Sequence, residues 1–182
     1  MKELSLNLLD VAQNSLSAGA DLVEISVTAD TADDRLEISI KDNGCGMSSE
    51  QLKAVTDPFF TTRTTRKIGL GIPLFKLAAE QTGGGLSIDS EQGVGTQTKA
   101  WFTISSIDRM PLGDLKGTVD ILIRMNPDVD FFYTERVDEK IMELDTRQFR
   151  EILGDVPLDN PEVIDWIGGY YDENSPFLNT NY

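Results

Sequence analysis

From Glu3 to Ala18 the apolar positions Leu4, Leu8, Val11 and Ala12, with Ser15 in phase, return at helical spacing, and Gly19 supplies a stop. The next two segments, DLVEISVTAD and RLEISIKD, alternate with period two around the polar turn DTADD, which predicts antiparallel strands. Ser48-Ser49-Glu50 opens a short helix that Pro58 breaks. TTRTTRK, residues 61–67, has no period and reads as a polar, basic loop. Then comes IGLGIPLFKLAAEQTGGG, a helix opened and closed by glycines, with apolar spacing through Leu74, Leu77 and Ala78. Two further strands, LSIDS and GTQTKAWFTISS, join across EQGVG and complete a layer of helices on a sheet.

Beyond the turn-rich MPLGDLKG the pattern changes. TVDILIRM and VDFFYTERV read as two strands around Asn126-Pro127-Asp128. DTRQFREILG and NPEVIDWIGGYY read as helices with Asp and Asn caps, and DENSPFLNTNY as a loose tail. The expected fold class is α+β, with residues 1–104 as one domain. Residues 105–182 form a strand-strand-helix-helix extension packed on it.

Composition narrows the function classes. The 182 residues carry a formal charge of -15, and residues 105–182 are the more acidic part, with seventeen acids against seven bases. Such a balance argues against a nucleic-acid or anionic-membrane surface, since both partners call for Lys/Arg patches. MKELSLNLLDVAQNSL is too polar for a secretory leader, and no apolar run reaches membrane-spanning length. A single cysteine, Cys45, forms no internal disulfide and suits a reducing cytoplasm. The chain has no histidine, which removes His-based triads, His-containing zinc sites and phosphohistidine chemistry from it.

Three stretches hold candidate chemistry. Asn7, Asp10 and Asn14 form a polar stripe on the first helix, built from poor mid-helix residues and free of Lys or Glu. A solvated face is one reading. The other is an Asn oxygen for Mg²⁺, with a carboxylate one turn earlier to orient a water or hydroxyl. KDNGCGM follows a strand and delivers Asp42 into a loop with Gly44 and Gly46, either a plain turn or a cleared binding surface. Gly69-Leu70-Gly71 opens a helix, where unpaired N–H groups accept phosphate or where helices simply pack closely.

In this order the motifs resemble the GHKL ATPase superfamily of gyrase, mismatch-repair ATPases, histidine kinases and serine-kinase anti-sigma factors. LLDVAQNSLSAGAD is similar to the N box, DNGCGM to the first glycine box, and DPFFTTR to the approach to the ATP lid. GLGIPL is similar to the second glycine box and GVGTQTKAWF to the terminal Gly-Thr motif; the resemblance spans about Met1 to Phe102. It implies a two-layer Bergerat ATP-binding fold, a mixed sheet with helices on one face. It also implies ATP and Mg²⁺ as cofactors. Asp42 would accept the adenine amino group, Gly44 and Gly46 would clear room for the ring, and Thr96 would support the same edge. Asn14 would hold Mg²⁺. The N–H groups of Gly69, Leu70 and Gly71 would hold phosphates, and Lys67 would meet the terminal one unless it is a solvated lid lysine. Arg63 and Arg66 are weaker candidates of that kind, and Cys45 is a small filler.

Two departures shape the expectation. The general-base position is Asp10 where gyrase-like and mismatch-repair members have Glu, one methylene longer, so slow turnover follows. There is no phosphoacceptor histidine, so an orthodox histidine kinase is excluded unless another chain supplies one. The resemblance thus implies a cytoplasmic protein using Mg-ATP for slow hydrolysis or for phosphotransfer to a regulatory partner protein, as serine-kinase anti-sigma factors do. The alternative is a nucleotide-gated interaction module with little catalysis. The acidic extension leaves homodimerisation open.

Overall fold

The computed structural model describes residues 3–56 and 71–178. Helix α1 (Leu4–Ser17) starts without a side-chain cap. Its first N–H groups, on Leu4 and Ser5, donate instead to the carbonyls of Pro111 (3.0 Å) and Leu112 (2.8 Å), satisfying donors that helix geometry leaves over. Gly19, at φ +76°, ends it in the left-handed region.

Strands β1 (Leu22–Asp30) and β2 (Arg35–Asp42) form the expected antiparallel pair. Helix α2 (Ser49–Thr56) and helix α3 (Gly71–Gln81) precede β3 (Gly85–Glu91) and β4 (Gly95–Thr103). After them come α4 (Leu115–Met125), β5 (Asp130–Val137), β6 (Lys140–Asp145), α5 (Thr146–Leu153) and α6 (Pro161–Asn174). Among the described residues the six strands make one sheet, ordered β3-β4-β2-β1-β5-β6. Its pairs are antiparallel except β1 with β5, which run parallel with Val23 opposite Phe131. The fold is therefore α+β with a mixed sheet, as expected. The residues beyond 104 continue that same sheet and share its apolar cluster.

Alternation decides which face is buried. Val23, Ile25, Val27 and Ala29 of β1, Leu36, Ile38 and Ile40 of β2, and Phe131, Tyr133 and Val137 of β5 all point under the helices. Glu24, Ser26, Glu37, Lys41 and Arg136 occupy the intervening positions on the open face. Helix α3 presents Ile72, Phe75, Ala78 and Ala79 to the core, while Leu74 and Leu77 are exposed, so its apolar face is rotated from the one expected.

Three expectations for the extension need correction. TVDILIRM is helix α4, not a strand: Asp114 caps it by accepting from the Gly117 N–H (2.7 Å), and Leu115, Val119, Leu122 and Ile123 are buried at helical spacing. Strand β6, KIMELD, fell outside the expected elements. The order strand-strand-helix-helix is present as β5-β6-α5-α6, one element later than read. Of the expected loose tail, Asp172 to Asn174 belong to α6, and Ser175 and Phe177 are buried.

A carboxylate anchors that tail. Glu135 of β5 is fully buried and accepts from the Tyr133 hydroxyl (2.7 Å) and from the hydroxyls of Tyr171 and Ser175. The two rings stack with centroids 6.3 Å apart. Burial, and then the neighbouring Glu135 charge, push both tyrosine hydroxyls above their ordinary pKa. No helix among the described residues is long and apolar enough to cross a membrane.

Candidate functional site

Asp42 closes β2 on the buried face, only 8% exposed. Its carboxylate is held from both sides: Oδ2 accepts from the Ser15 hydroxyl (2.6 Å), Oδ1 from the Gly44 N–H (2.9 Å). A carboxylate offers about four acceptor positions, so two remain for a further donor. Ser15 lies on the core-facing side of α1, which is why a helix that buries Leu8 and Val11 also delivers a hydroxyl to the end of β2. Thr96 stands opposite Asp42 in the β2–β4 register, and its hydroxyl is 2.8 Å from that of Ser90.

The loop after Asp42 is threaded between two other pieces of chain. The Asn43 amide oxygen accepts from the N–H groups of Asp21 and Leu22 (both 3.1 Å), tying the end of β2 to the start of β1. The Cys45 N–H donates to Ala18 O (2.9 Å), and Gly93 N–H donates to Cys45 O (2.8 Å). A Cβ on Gly44 would lie 2.9 Å from Ala18 O. At Gly46, with φ +63°, it would lie 2.0 Å from Glu91 O. At Gly95, with φ +143°, it would lie 2.0 Å from Asp42 O. The bareness of Gly44 and Gly46, expected to serve a purine ring, thus has a cause inside the fold: backbone passes against backbone there.

The middle of the stripe on α1 meets α3. A Cβ on Gly71 would be 3.0 Å from the Asp10 Cβ and 3.3 Å from its Oδ2, so the N-terminus of α3 is seated on Asp10. Asp10 is half-buried and Asn14, one turn on, is exposed. Asn7 is fully buried rather than solvated, and neither of its amide atoms has a hydrogen-bond partner among the described residues. The chain therefore gathers Asp42, Ser15, Gly44 and Thr96 at one end of α1, and Asp10 with Gly71 at its middle. Lys67, Gly69 and Leu70, with Arg63 and Arg66, lie outside the described residues. A hollow lined by Leu22, Glu24, Lys41, Asn43, Val94 and Gln97 opens on the polar face of the sheet, where Lys41 is already paired with Glu24 at 2.9 Å.

The sequence reading missed Ser15, Ser90 and the burial of Asn7. For Ser15 the signal was available, since a hydroxyl in the phase of Leu8 and Val11 needs a buried partner. For Ser90 there was none, because its role depends on the β3–β4 register.

A family model described as histidine kinase-, DNA gyrase B-, and HSP90-like ATPase matches residues 1–106. Among curated relatives, the sensor histidine kinase ZraS of Escherichia coli is 32% identical over 106 residues, 58% of this chain and 23% of that protein. Sporulation kinase E of Bacillus subtilis is 35% identical over 97 residues, 53% of this chain and 13% of that protein. The chain thus spans less than a quarter of the length of these relatives. Among solved structures, the Aquifex aeolicus MutL ATPase domain complexed with ADP aligns over 92% of this chain and 87% of its own, at a TM-score of 0.50 and 16% identity. The N-terminal domain of a DNA repair protein aligns over 80% of this chain and 53% of its own, at a TM-score of 0.54 and 14% identity. These two establish likeness of fold. The family model covers more than half of the chain, and the protein belongs to the histidine kinase-, DNA gyrase B- and HSP90-like ATPases.

Proposed function

We propose that the chain binds Mg-ATP in the space between α1, the end of β2 and the start of α3, and directs its terminal phosphate to water or to a partner protein. The observation that carries this reading is the Asp42 carboxylate: buried, held by Ser15 and Gly44, with acceptor capacity to spare. That arrangement fits the amino group of adenine, a donor whose bond to an ionised acceptor is about twice as strong as a neutral one. Thr96, its cross-strand neighbour, supports the same edge of the base.

At the phosphate end, Gly71 lies at the start of α3, where N–H groups without intrahelical partners and the positive end of the helix dipole favour anions. Gly69, Leu70 and Lys67 join it in this reading. No three Asp, Glu, Cys or His side chains converge on one point among the described residues. A cation held by the Asn14 amide oxygen therefore relies on phosphate oxygens and water for its other ligands, as Mg²⁺ commonly does. When bound, Mg²⁺ neutralises charge that develops on the transferred phosphoryl group. Asp10, beside Gly71, takes up the proton of the attacking water or hydroxyl.

The sensor-kinase relatives support a regulatory protein as the partner, in the cytoplasm where ATP and Mg²⁺ are supplied. A nucleotide-gated interaction module is favoured by one observation. The linker at Pro111 and Leu112 hydrogen-bonds the first turn of α1, the helix that carries Asp10 and Asn14, so nucleotide and extension act on one element. Titration calorimetry with Mg-ATP tests the binding reading. Asp42→Asn removes a charge-assisted bond of about 1.5–3 kcal/mol, a loss of roughly 10–100-fold in affinity. A wild-type chain that takes up no adenosine nucleotide, or an Asp42→Asn variant that binds as wild type, overturns it.

A further inference from the structure

The stripe on α1 has a third member that the proposed chemistry leaves idle. Asn7 is 0% exposed, and its amide nitrogen and oxygen both lack partners among the described residues. An unpartnered amide is among the costlier groups a core can hold. An apolar residue of similar volume would fill the same space without that cost.

Helix geometry says where this amide faces. Asn7 and Asp10 are three residues apart and share a side of α1, and Asp10 is the residue on which Gly71 of α3 sits. Ser5, on the opposite flank, faces the linker, since a Cβ on Gly113 would lie 2.5 Å from its hydroxyl oxygen. Asn7 therefore lies on the α3-facing side of α1, one turn before the residue that seats Gly71. Helix α3 begins at Gly71, and the first N–H groups of a helix are those that helix geometry leaves over, while Pro73 contributes none. Distance along the helix orders the stripe. Ser15 marks the Asp42 end, Asp10 lies about 7.5 Å from it along the axis, and Asn7 about 12 Å, at 1.5 Å per residue.

We propose that Asn7 reads the terminal phosphate of the bound nucleotide, and that its unpartnered amide is kept in the core for that purpose. The inference rests on the nucleotide site proposed above and adds to it a residue that separates a triphosphate from a diphosphate. Asn7 donates from Nδ2 to a terminal phosphate oxygen, directly or through one water. A diphosphate, anchored at the same Asp42, ends short of it.

The test is Asn7→Leu in the full chain, with thermal melting in the absence of nucleotide and calorimetry with Mg-ATP and with Mg-ADP. The melting temperature rises by roughly 2–4 °C as the orphan amide is removed. ATP binds roughly tenfold more weakly, about 1.4 kcal/mol, and ADP within twofold of wild type. An ATP-to-ADP affinity ratio equal to the wild-type ratio overturns the inference, as does a fall in melting temperature. Asn7→Ala provides the same ratio should the leucine variant not fold. Asp42→Asn, run in parallel, weakens both nucleotides. An unchanged ratio at position 7 with that response intact removes the role of Asn7 alone, whereas no response to Asp42→Asn removes the nucleotide site as well.

Discussion

Tyr171→Phe is the sharpest probe of how the C-terminal half is held. The substitution keeps the ring, 3% exposed and stacked on Tyr133, and deletes one hydroxyl. That hydroxyl is one of three that hold Glu135, a fully buried carboxylate that takes part in none of the ion pairs among the described residues. A hydrogen bond to a charged group contributes about 1.5–3 kcal/mol, and here water has no route to replace it. For a chain of this length 1 kcal/mol corresponds to about 2–4 °C, so the melting temperature falls by about 3–12 °C. Urea unfolding followed by circular dichroism gives the free energy directly. Alkaline pH supplies a second reading. The folded pKa of Tyr171 lies above its ordinary value of 10.0, pushed up by burial first and by Glu135 next. The folded chain thus keeps a proton that the unfolded chain releases above about pH 10, and stability falls as pH rises. The Phe variant lacks that contribution, so its deficit narrows between pH 9 and pH 11. A loss below about 0.5 kcal/mol, or a deficit that stays constant over that range, refutes the account.

Two more predictions concern single residues. Gly95→Ala places a Cβ 2.0 Å from the Asp42 carbonyl at φ +143°, so strain alone costs about 1–3 kcal/mol, and a melt matching wild type would contradict the packing described. The Asp138 carboxylate accepts from the Thr31 N–H (2.8 Å) and hydroxyl, which, the N–H first, hold its pKa below the ordinary aspartate value of 3.8. Its contribution to stability is present above that value and is lost as pH falls through the lower folded pKa, so Asp138→Asn flattens the acid limb of a urea-midpoint profile from pH 6 to pH 2.

What the sequence made legible was whatever a local period encodes. The α1 stop at Gly19 and the β1–β2 hairpin could be read because each is settled by residues within a few positions. So could the Asp145 and Asn160 caps. TVDILIRM misled because Val119, Ile121 and Ile123 mimic a two-residue alternation, whereas the cap at Asp114 and the burial of Leu122 belong to a helix. Leu74 and Leu77 misled for a related reason, since α3 buries Ile72 and Phe75 instead and only packing selects between the two faces. At the site, Asp42 and Asp10 could be picked out as carboxylates in odd company. Ser15 and Ser90 acquire meaning only from contacts between distant segments. The reason for Gly46 and Gly95 is likewise a crossing of chains, invisible to any window of sequence.

Strand β1 is zipped along both margins, to β2 on one and to β5 on the other. The first partner arrives after a four-residue turn, 31–34; the second is encoded roughly 100 residues downstream, a closure whose entropy grows only slowly with length but which delays assembly. Until residue 137 has been made, the nine-residue margin of β1 is a bare template for any passing strand. A clone cut to the stretch that matches the family model would keep that margin bare for good, and stickiness between copies, rather than loss of chemistry, would be its first symptom.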